Sequence, residues 1–363
     1  MARWLRLTKA GGLAVGAVAA GAGVVIAAEK IAVGRLRIRP DPAADEPLGQ
    51  LRDQSLTVLA DDGVPLHVEV SGPDDAPVTI VFSHGYTLSQ DVWHYQRQAL
   101  GKARLVFWDQ RGHGRSGHGD AEHSTIDQLG ADLEAVLAAT MPAGGRVLLV
   151  GHSMGGMTIM ALAARQPGLF GPRPDGPDGL DGPAPGGLKV AGTVLIATAA
   201  SGVDPARWLP APLRVVARQA APTLLRTVSR GRPAAVIERG RQVAGDVAFL
   251  STRYMAFGDP GVSPALVDFL ERIIRATPVD VVADFFVALT GHDKQAALAT
   301  LGTVPCTVVT GDRDRLISAR SSGELAVHIP GAELVMVPGA GHLVILERPE
   351  AVNEAITALL ARI

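Results

Sequence analysis

A serine with the surroundings of an enzymatic nucleophile lies near the middle of the chain. Ser153 is the central residue of Gly151-His152-Ser153-Met154-Gly155, which follows the apolar run 147–150 and precedes a helical pattern. A serine on a sharp strand-to-helix turn is lifted out of the sheet, with its hydroxyl exposed above the strand ends. The small residues Gly151 and Gly155 allow the backbone to pack tightly around such a turn. This pattern predicts a nucleophilic serine supported by its neighbours, including His152.

An acid and a base follow later strands in the chain. Asp314 ends the stretch Gly311–Asp314 after one apolar run, and His342 ends Gly339–His342 after the next. A neutral histidine takes the proton of an attacking serine, and a carboxylate holds the imidazole in the correct tautomer. The sequence therefore predicts Ser153, His342 and Asp314 as a catalytic triad. Asp312 and Asp204 are the alternatives for the acid; Asp314 is preferred because two further residues give the chain room to bend back.

Backbone amides are predicted to stabilise the oxyanion of the reaction. Ser83-His84-Gly85-Tyr86 follows the apolar run 78–82, and Gly85 allows a bend there. The amides of Tyr86 and Met154 are the expected oxyanion-hole donors. His84 is expected to support the loop rather than to catalyse. No metal site is expected, because the five-residue spacing of the nearby histidines has no defined ligand geometry; these are His113, His118 and His123.

Alternating strand and helix patterns must position these residues. Short apolar runs alternate with helical patterns, which predicts an α/β fold with a mostly parallel eight-stranded sheet covered by helices on both faces. Asp61-Asp62-Gly63 predicts an opening hairpin that adds an antiparallel edge. The predicted strands are 55–59, 66–70, 78–82, 104–108, 146–150, 192–197, 306–310 and 333–337, and the predicted helices are 89–100, 124–139, 154–165, 318–328 and 349–362.

The remaining segments suggest further units. Residues 201–302 have helical patterns without a convincing strand and are predicted to form a helical cap. Residues 168–188 are rich in Pro, Gly and Asp and are expected to be flexible and exposed. The expected division is an N-terminal segment 1–40, a linker 41–54, a core formed by 55–200 and 303–363, and the cap. Apolar residues of the cap are candidates to line an acyl pocket or to fill the cap's own core: Trp208, Phe249, Met255, Phe257, Phe269, Phe285 and Phe286.

Residues 11–28 form an uncharged stretch rich in Ala and Gly, with basic residues on both sides. Eighteen apolar residues form a helix of roughly 27 Å, just long enough to cross a thin hydrocarbon core. We expect an uncleaved membrane anchor, and a cleaved secretory signal or a poorly ordered helix are the alternatives. Because both flanks are basic, the charge pattern does not indicate which side of the membrane the rest of the protein occupies.

Composition narrows the remaining possibilities. The 363 residues are 47% hydrophobic and 19% charged, which provides for a large core and argues against disorder. The formal net charge of −2 gives no global attraction to nucleic acid. With Cys306 as the single cysteine, an intrachain disulfide and a cysteine-ligated zinc cluster are excluded.

Five short stretches together resemble the α/β-hydrolase fold superfamily. They are His84-Gly85, Asp109–Ser116, Gly151–Gly156, Gly311–Asp314 and Gly339–His342, which occur in the family's order within residues 55–363. The resemblance implies the same triad, a helical cap and no cofactor. The Gly151–Gly156 stretch looks like those of esterases, lipases, lactonases and cofactor-free haloperoxidases. Epoxide hydrolases and haloalkane dehalogenases of this fold usually carry an aspartate as nucleophile, so Ser153 argues against both.

The function expected from these residues is cleavage of carboxylic esters of small molecules through an acyl-enzyme. A C–C bond hydrolase, a lactonase, a thioesterase or an acyltransferase with the same triad are the alternatives among enzymes. A noncatalytic ligand-binding protein on the same fold is the alternative from another class.

Overall fold

A computed structural model describes Gly34 and residues 41–171, 187–202 and 245–363. Eight strands form one sheet: β1 Gln54–Leu59, β2 Pro65–Ser71, β3 Thr79–Ser83, β4 Arg104–Trp108, β5 Arg146–His152, β6 Lys189–Ile196, β7 Cys306–Gly311 and β8 Glu333–Val337. The order across the sheet is β1-β2-β4-β3-β5-β6-β7-β8. Only the pairings of β2 with β1 and β4 are antiparallel. The predicted fold class and the opening hairpin are therefore confirmed.

The described helices are α1 His94–Ala99, α2 Ile126–Thr140, α3 Met154–Arg165, α4 Gly245–Ala256, α5 Pro264–Ala276, α6 Val279–Thr290, α7 Leu298–Leu301, α8 Ala319–His328, α9 Val344–Glu347 and α10 Pro349–Leu360. Short 3-10 turns occur at Gln90–Trp93, Ala121–His123, Pro167–Leu169 and Gln295–Ala297. The predicted helix 89–100 is thus a 3-10 turn followed by α1. Within the described ranges, none of these helices is long and apolar enough to cross a membrane.

The sheet is covered on both faces, as its apolar strands require. Along β3, Ile80 and Phe82 belong to one apolar cluster, whereas Val81 between them belongs to a second cluster on the other face. All three side chains are fully buried. The alternation follows from the two-residue period of a strand, which directs successive side chains to opposite faces.

Residues 41–50, interpreted above as part of a linker, form turns that pack on the folded chain. Ala43 and Leu48 are buried in the core cluster on one face of the sheet. The Asp41 carboxylate accepts hydrogen bonds from the Ser263 hydroxyl and, at 2.9 Å, from the Ala265 amide. Asp41 therefore caps the first turn of α5 from a distant part of the chain, which polar composition alone does not reveal.

Several sequence expectations concern residues outside the described ranges. These are the apolar stretch 11–28, most of the Pro/Gly loop (172–186), and residues 203–244 of the predicted cap with Asp204 and Trp208. The described residues of the predicted cap, 245–302, contain α4, α5, α6 and α7.

Candidate active site

Ser153 lies on a strained turn between β5 and α3. Its backbone dihedral angles are φ 53° and ψ −117°, in a region that residues with a side chain rarely adopt. The Ser153 amide donates to the Ile196 carbonyl at 2.8 Å, and the Thr198 hydroxyl donates to the Ser153 carbonyl at 2.8 Å. The turn is thus fixed by β6 and the residues after it.

Two glycines make this turn sterically feasible. A Cβ atom at Gly151 would lie 2.5 Å from the Gly155 carbonyl oxygen, and one at Gly155 would lie 2.0 Å from the Ser83 carbonyl oxygen. These distances are too short for any side chain. The start of α3 therefore packs backbone to backbone on the end of β3. The sequence predicted tight packing around this turn but not its partner.

His342 and Asp314 are brought together by the loops after β8 and β7. The Asp314 Oδ2 atom lies 2.8 Å from His342 Nδ1, and Oδ1 accepts from the amides of Leu316 and Ile317 at 2.8 and 2.9 Å. Both carboxylate oxygens are therefore occupied. The neighbouring acid, Asp312, is exposed and accepts instead from the Gly339 amide at 2.7 Å.

A cavity of about 180 Å³ joins Ser153 and His342, which both line it. Among the described residues, the hydrogen bond made by the His342 ring is the one to Asp314. The second ring nitrogen, Nε2, is the atom to which a serine hydroxyl in the same cavity would give its proton. Catalytic hydrogen bonds are often loose before substrate binds and tighten in the complex.

One predicted oxyanion-hole residue shares the cavity with Ser153, and the other follows Ser153 directly in the chain. Tyr86 lines the cavity together with Gly85, and Met154 is the first residue of α3, where a backbone N–H has no partner within the helix. The Tyr86 hydroxyl donates to the Val282 carbonyl of α6 at 2.5 Å. Gly85 is required by space: a Cβ atom there would lie 2.9 Å from His152 Nδ1 and 3.2 Å from Ser153 Cβ.

Two buried histidines hold the loops of the site. His84 Nδ1 donates to the Gly85 carbonyl at 2.8 Å, and its Nε2 accepts from the Gln110 amide at 2.9 Å. His152 Nε2 donates to the His342 carbonyl at 2.9 Å. Burial lowers the pKa of His84 to about 4 and holds the pKa of His152 well below its usual range. Both rings are consequently neutral at pH 7, and the accepting Nε2 atom of His84 requires this state.

The loop after β4 is fixed by one buried carboxylate. Asp109 accepts from the Gln90 amide at 2.7 Å and from the Arg115 amide at 3.0 Å. His113 in this loop donates from Nδ1 to the Arg111 carbonyl, and burial lowers its pKa to about 3. Within the described part of the chain, no group of three His, Cys, Asp or Glu side chains is placed to hold a metal ion.

Four of the aromatic residues that the sequence offered either for an acyl pocket or for the core lie in the core. Phe249, Phe257, Phe269 and Phe285 are buried in the apolar clusters and do not line the cavity. The apolar lining comes from Leu88, Ala256, Leu270, Ile274, Leu316 and Leu343. The sequence signal that could have indicated this lining is the four-residue spacing of Leu270 and Ile274, which places both on one face of α5.

Comparison with known proteins assigns the fold to a family. The profile of the alpha/beta hydrolase family matches residues 80–355, about three quarters of the chain. This chain belongs to the alpha/beta hydrolase family. The matched range includes the loops that carry Ser153, Asp314 and His342.

Individual relatives of this hydrolase are esterases and related enzymes. It is 34% identical over 143 residues to a monoacylglycerol lipase of Mycolicibacterium smegmatis, a match that covers 38% of the chain and about half (49%) of that lipase. It is 27% identical over 304 residues to a pimeloyl acyl-carrier-protein methyl ester esterase of Stenotrophomonas maltophilia, covering 82% of the chain and 96% of the esterase. The enol-lactonase structure of Burkholderia xenovorans superposes with a TM-score of 0.63 at 23% identity, covering 84% of the chain and all of the lactonase.

Proposed function

We propose that this hydrolase cleaves carboxylic esters of small molecules with Ser153 as nucleophile. The observation that carries the proposal is the arrangement of three side chains. Ser153 on its strained turn and His342 line one cavity, and Asp314 holds the far nitrogen of His342 at 2.8 Å. The esterase and lipase names of two relatives support the same class of reaction.

The reaction begins with attack of the Ser153 hydroxyl on the ester carbonyl. His342 Nε2 removes the hydroxyl proton, and the Asp314 carboxylate stabilises the imidazolium that forms. The carbonyl oxygen becomes an oxyanion, to which the amides of Tyr86 and Met154 donate hydrogen bonds. The protonated His342 then gives its proton to the leaving alcohol, and an acyl-enzyme remains.

Water completes the cycle. His342 Nε2, again neutral, removes a proton from water as the water attacks the acyl-enzyme carbonyl. The resulting imidazolium returns the proton to the Ser153 oxygen as the carboxylic acid departs. The cycle needs no cofactor, and its atoms and charges balance with ester and water as the substrates.

The cavity indicates the kind of acyl group that fits. Its described walls are mainly apolar, and Ser153 and His342 are among the few polar residues that line it. An apolar acyl chain gains free energy when it is transferred from water into such a cavity, whereas a charged one loses its hydration without a partner. We therefore expect esters of short apolar acids to be preferred over esters of dicarboxylic acids.

A panel of p-nitrophenyl esters tests this function. The panel contains apolar acyl chains of increasing length and the hemisuccinate as the charged counterpart of the butyrate. The butyrate is expected to have a kcat/KM at least about tenfold above the hemisuccinate, a difference of about 1.4 kcal/mol. No turnover of any ester, together with turnover of a lactone, a thioester or a β-diketone, would assign the triad to one of the alternative reactions.

We also propose that residues 11–28 tether the enzyme to a membrane, on the evidence of their uncharged composition and basic flanks. The full-length protein is then expected to stay in the membrane fraction after carbonate or high-salt washing and to require detergent for extraction. A protein beginning at Pro40 is expected to be released without detergent. Recovery of a mature form that starts shortly after Ala28 would instead identify a cleaved signal.

A further inference from the structure

A buried carboxylate outside the triad binds the loop that carries His342. Glu347, the last residue of α9, accepts a hydrogen bond from the Gly341 amide at 2.6 Å. The same carboxylate accepts from the Gly258 amide at 3.0 Å and from the Asp259 amide. Glu347 is 8% exposed, so this carboxylate is largely removed from water. Three backbone amides thus converge on one buried carboxylate, and one of them belongs to Gly341, the residue directly before His342.

The amides belong to two segments that touch through their backbones. A Cβ atom at Gly341 would lie 2.5 Å from the Gly258 nitrogen, and one at Gly258 would lie 2.6 Å from the Ala340 carbonyl carbon. The Leu343 amide donates to the Ala256 carbonyl at 2.9 Å. The chain after α4 therefore packs directly against the loop that carries His342. The Glu347 carboxylate accepts hydrogen bonds from both segments.

The loop that carries Asp314 is hydrogen-bonded to the same chain segment after α4. Arg315, next to Asp314, donates from Nη1 to the Tyr254 carbonyl at 2.6 Å and to the Phe257 carbonyl at 2.8 Å. Residues 254–259 consequently hold both partners of the His342–Asp314 hydrogen bond. A displacement of this segment relative to either loop changes the position of the imidazole against Ser153.

We propose that Glu347 is a positioning residue that sets the His342 ring through the Gly341 amide and couples it to the cap segment 254–259. The proposal rests on the proposed function of His342 as the base. A carboxylate is required because it only accepts, with enough lone pairs for three N–H donors. A glutamine keeps one accepting oxygen but directs an NH₂ group at the remaining amide hydrogens, so the loop must shift.

The test compares Glu347→Gln with two matched controls. Glu354→Gln removes an exposed acid of α10 and leaves the Glu347 carboxylate in place. Glu350→Gln removes an exposed acid at the start of α10. In Glu347→Gln we expect kcat to fall about 10- to 100-fold with KM changed by less than about threefold, because small misplacements of a catalytic group cost rate. Both controls are expected to stay within about twofold of the unchanged enzyme.

A second readout does not depend on ester turnover. The proton on His342 Nδ1, shared with Asp314, is expected to give a far-downfield NMR signal in the unchanged enzyme and in both controls. Glu347→Gln is expected to shift or broaden this signal. If the unchanged enzyme cleaves no ester, the proposed function fails, yet the signal in Glu347→Gln still tests the positioning role.

Glu347→Asp provides the conservative comparison. It keeps the charge but is one methylene shorter, so kcat and the NMR signal are expected to lie between those of the unchanged enzyme and Glu347→Gln. A folded Glu347→Gln with unchanged kcat and an unchanged signal would overturn the proposal. Failure of both variants to fold would also overturn it, in favour of a purely structural role.

Discussion

Replacement of Asp314 by asparagine is the substitution for which the structure gives the sharpest expectation. One carboxylate oxygen faces His342 Nδ1 at 2.8 Å, and the other accepts from the Leu316 and Ile317 amides. Asparagine must direct its NH₂ group to one of these two sides. If the NH₂ group faced the Leu316 and Ile317 amides, donors would face donors and two hydrogen bonds would be lost. The NH₂ group is therefore expected to face His342.

That orientation forces the wrong tautomer on the base. An NH₂ donor requires His342 Nδ1 to accept, which places the ring proton on Nε2. The nitrogen that faces Ser153 can then no longer take the serine proton. We expect kcat to fall by roughly 10²- to 10⁴-fold, which corresponds to about 2.7–5.5 kcal/mol of lost transition-state stabilisation.

Asp312→Asn is the matched control two residues away. Asp312 is exposed and needs only one acceptor, for the Gly339 amide, which an asparagine oxygen provides equally well. The assay is p-nitrophenyl ester hydrolysis with the folded fraction of each variant checked by its urea-unfolding midpoint. Near-normal turnover of Asp314→Asn together with a loss in Asp312→Asn would refute the assignment of the acid.

Two further predictions concern the scaffold. Gly155→Ala is expected to lower the free energy of unfolding by at least about 1–3 kcal/mol, because its Cβ would lie 2.0 Å from the Ser83 carbonyl oxygen. Gly101→Ala, where the nearest atom lies 3.7 Å away, is the control, and equal urea midpoints would contradict the packing argument. We expect the fold to lose stability as the pH falls from 6.5 to about 4, because histidines of the unfolded chain bind protons in this range while the buried imidazoles stay neutral. Each such histidine lowers the free energy of unfolding by up to about 1.4 kcal/mol per pH unit. The histidines whose pKa is lowered by burial to about 4, 3 and 4 are His84, His113 and His292. This contribution is expected to be complete above pH 6.5. A free energy of unfolding that does not change between pH 7 and 4.5 would contradict the neutral state of these histidines. So would a His292→Gln variant whose free energy of unfolding depends on pH as steeply as that of the unchanged protein.

The sheet was predictable because its signals are local. Each strand is a short apolar run bounded by glycine, proline or polar residues, and the turn after β5 requires glycines that are visible as such in the sequence. The hairpin between β1 and β2 is marked by Asp61-Asp62-Gly63, and Gly63 adopts the φ of +82° that this turn needs.

Features that depend on distant contacts were not predictable. Asp41 caps α5 from more than 220 residues away, so the segment around it looked like a linker. Phe269 and Leu270 are adjacent in α5 and are buried in the same core cluster, yet Leu270 also lines the cavity and Phe269 does not, because successive helical residues point in different directions. Glu347 follows an apolar run with no chemical motif, and its role depends on amides almost 90 residues away.

Covalent labelling of Ser153 tests the central claim most directly. A fluorophosphonate probe reacts with a serine hydroxyl only when a base such as His342 activates it. Mass spectrometry of the labelled enzyme is expected to place the adduct on the peptide that contains Ser153. Ser153→Ala is expected to lose both the adduct and ester hydrolysis, the latter by a factor on the order of 10⁴–10⁶, while it unfolds at the same urea concentration as the unchanged protein. Undiminished labelling of folded Ser153→Ala, or the absence of any adduct on the unchanged protein, would contradict the assignment of Ser153 as the nucleophile.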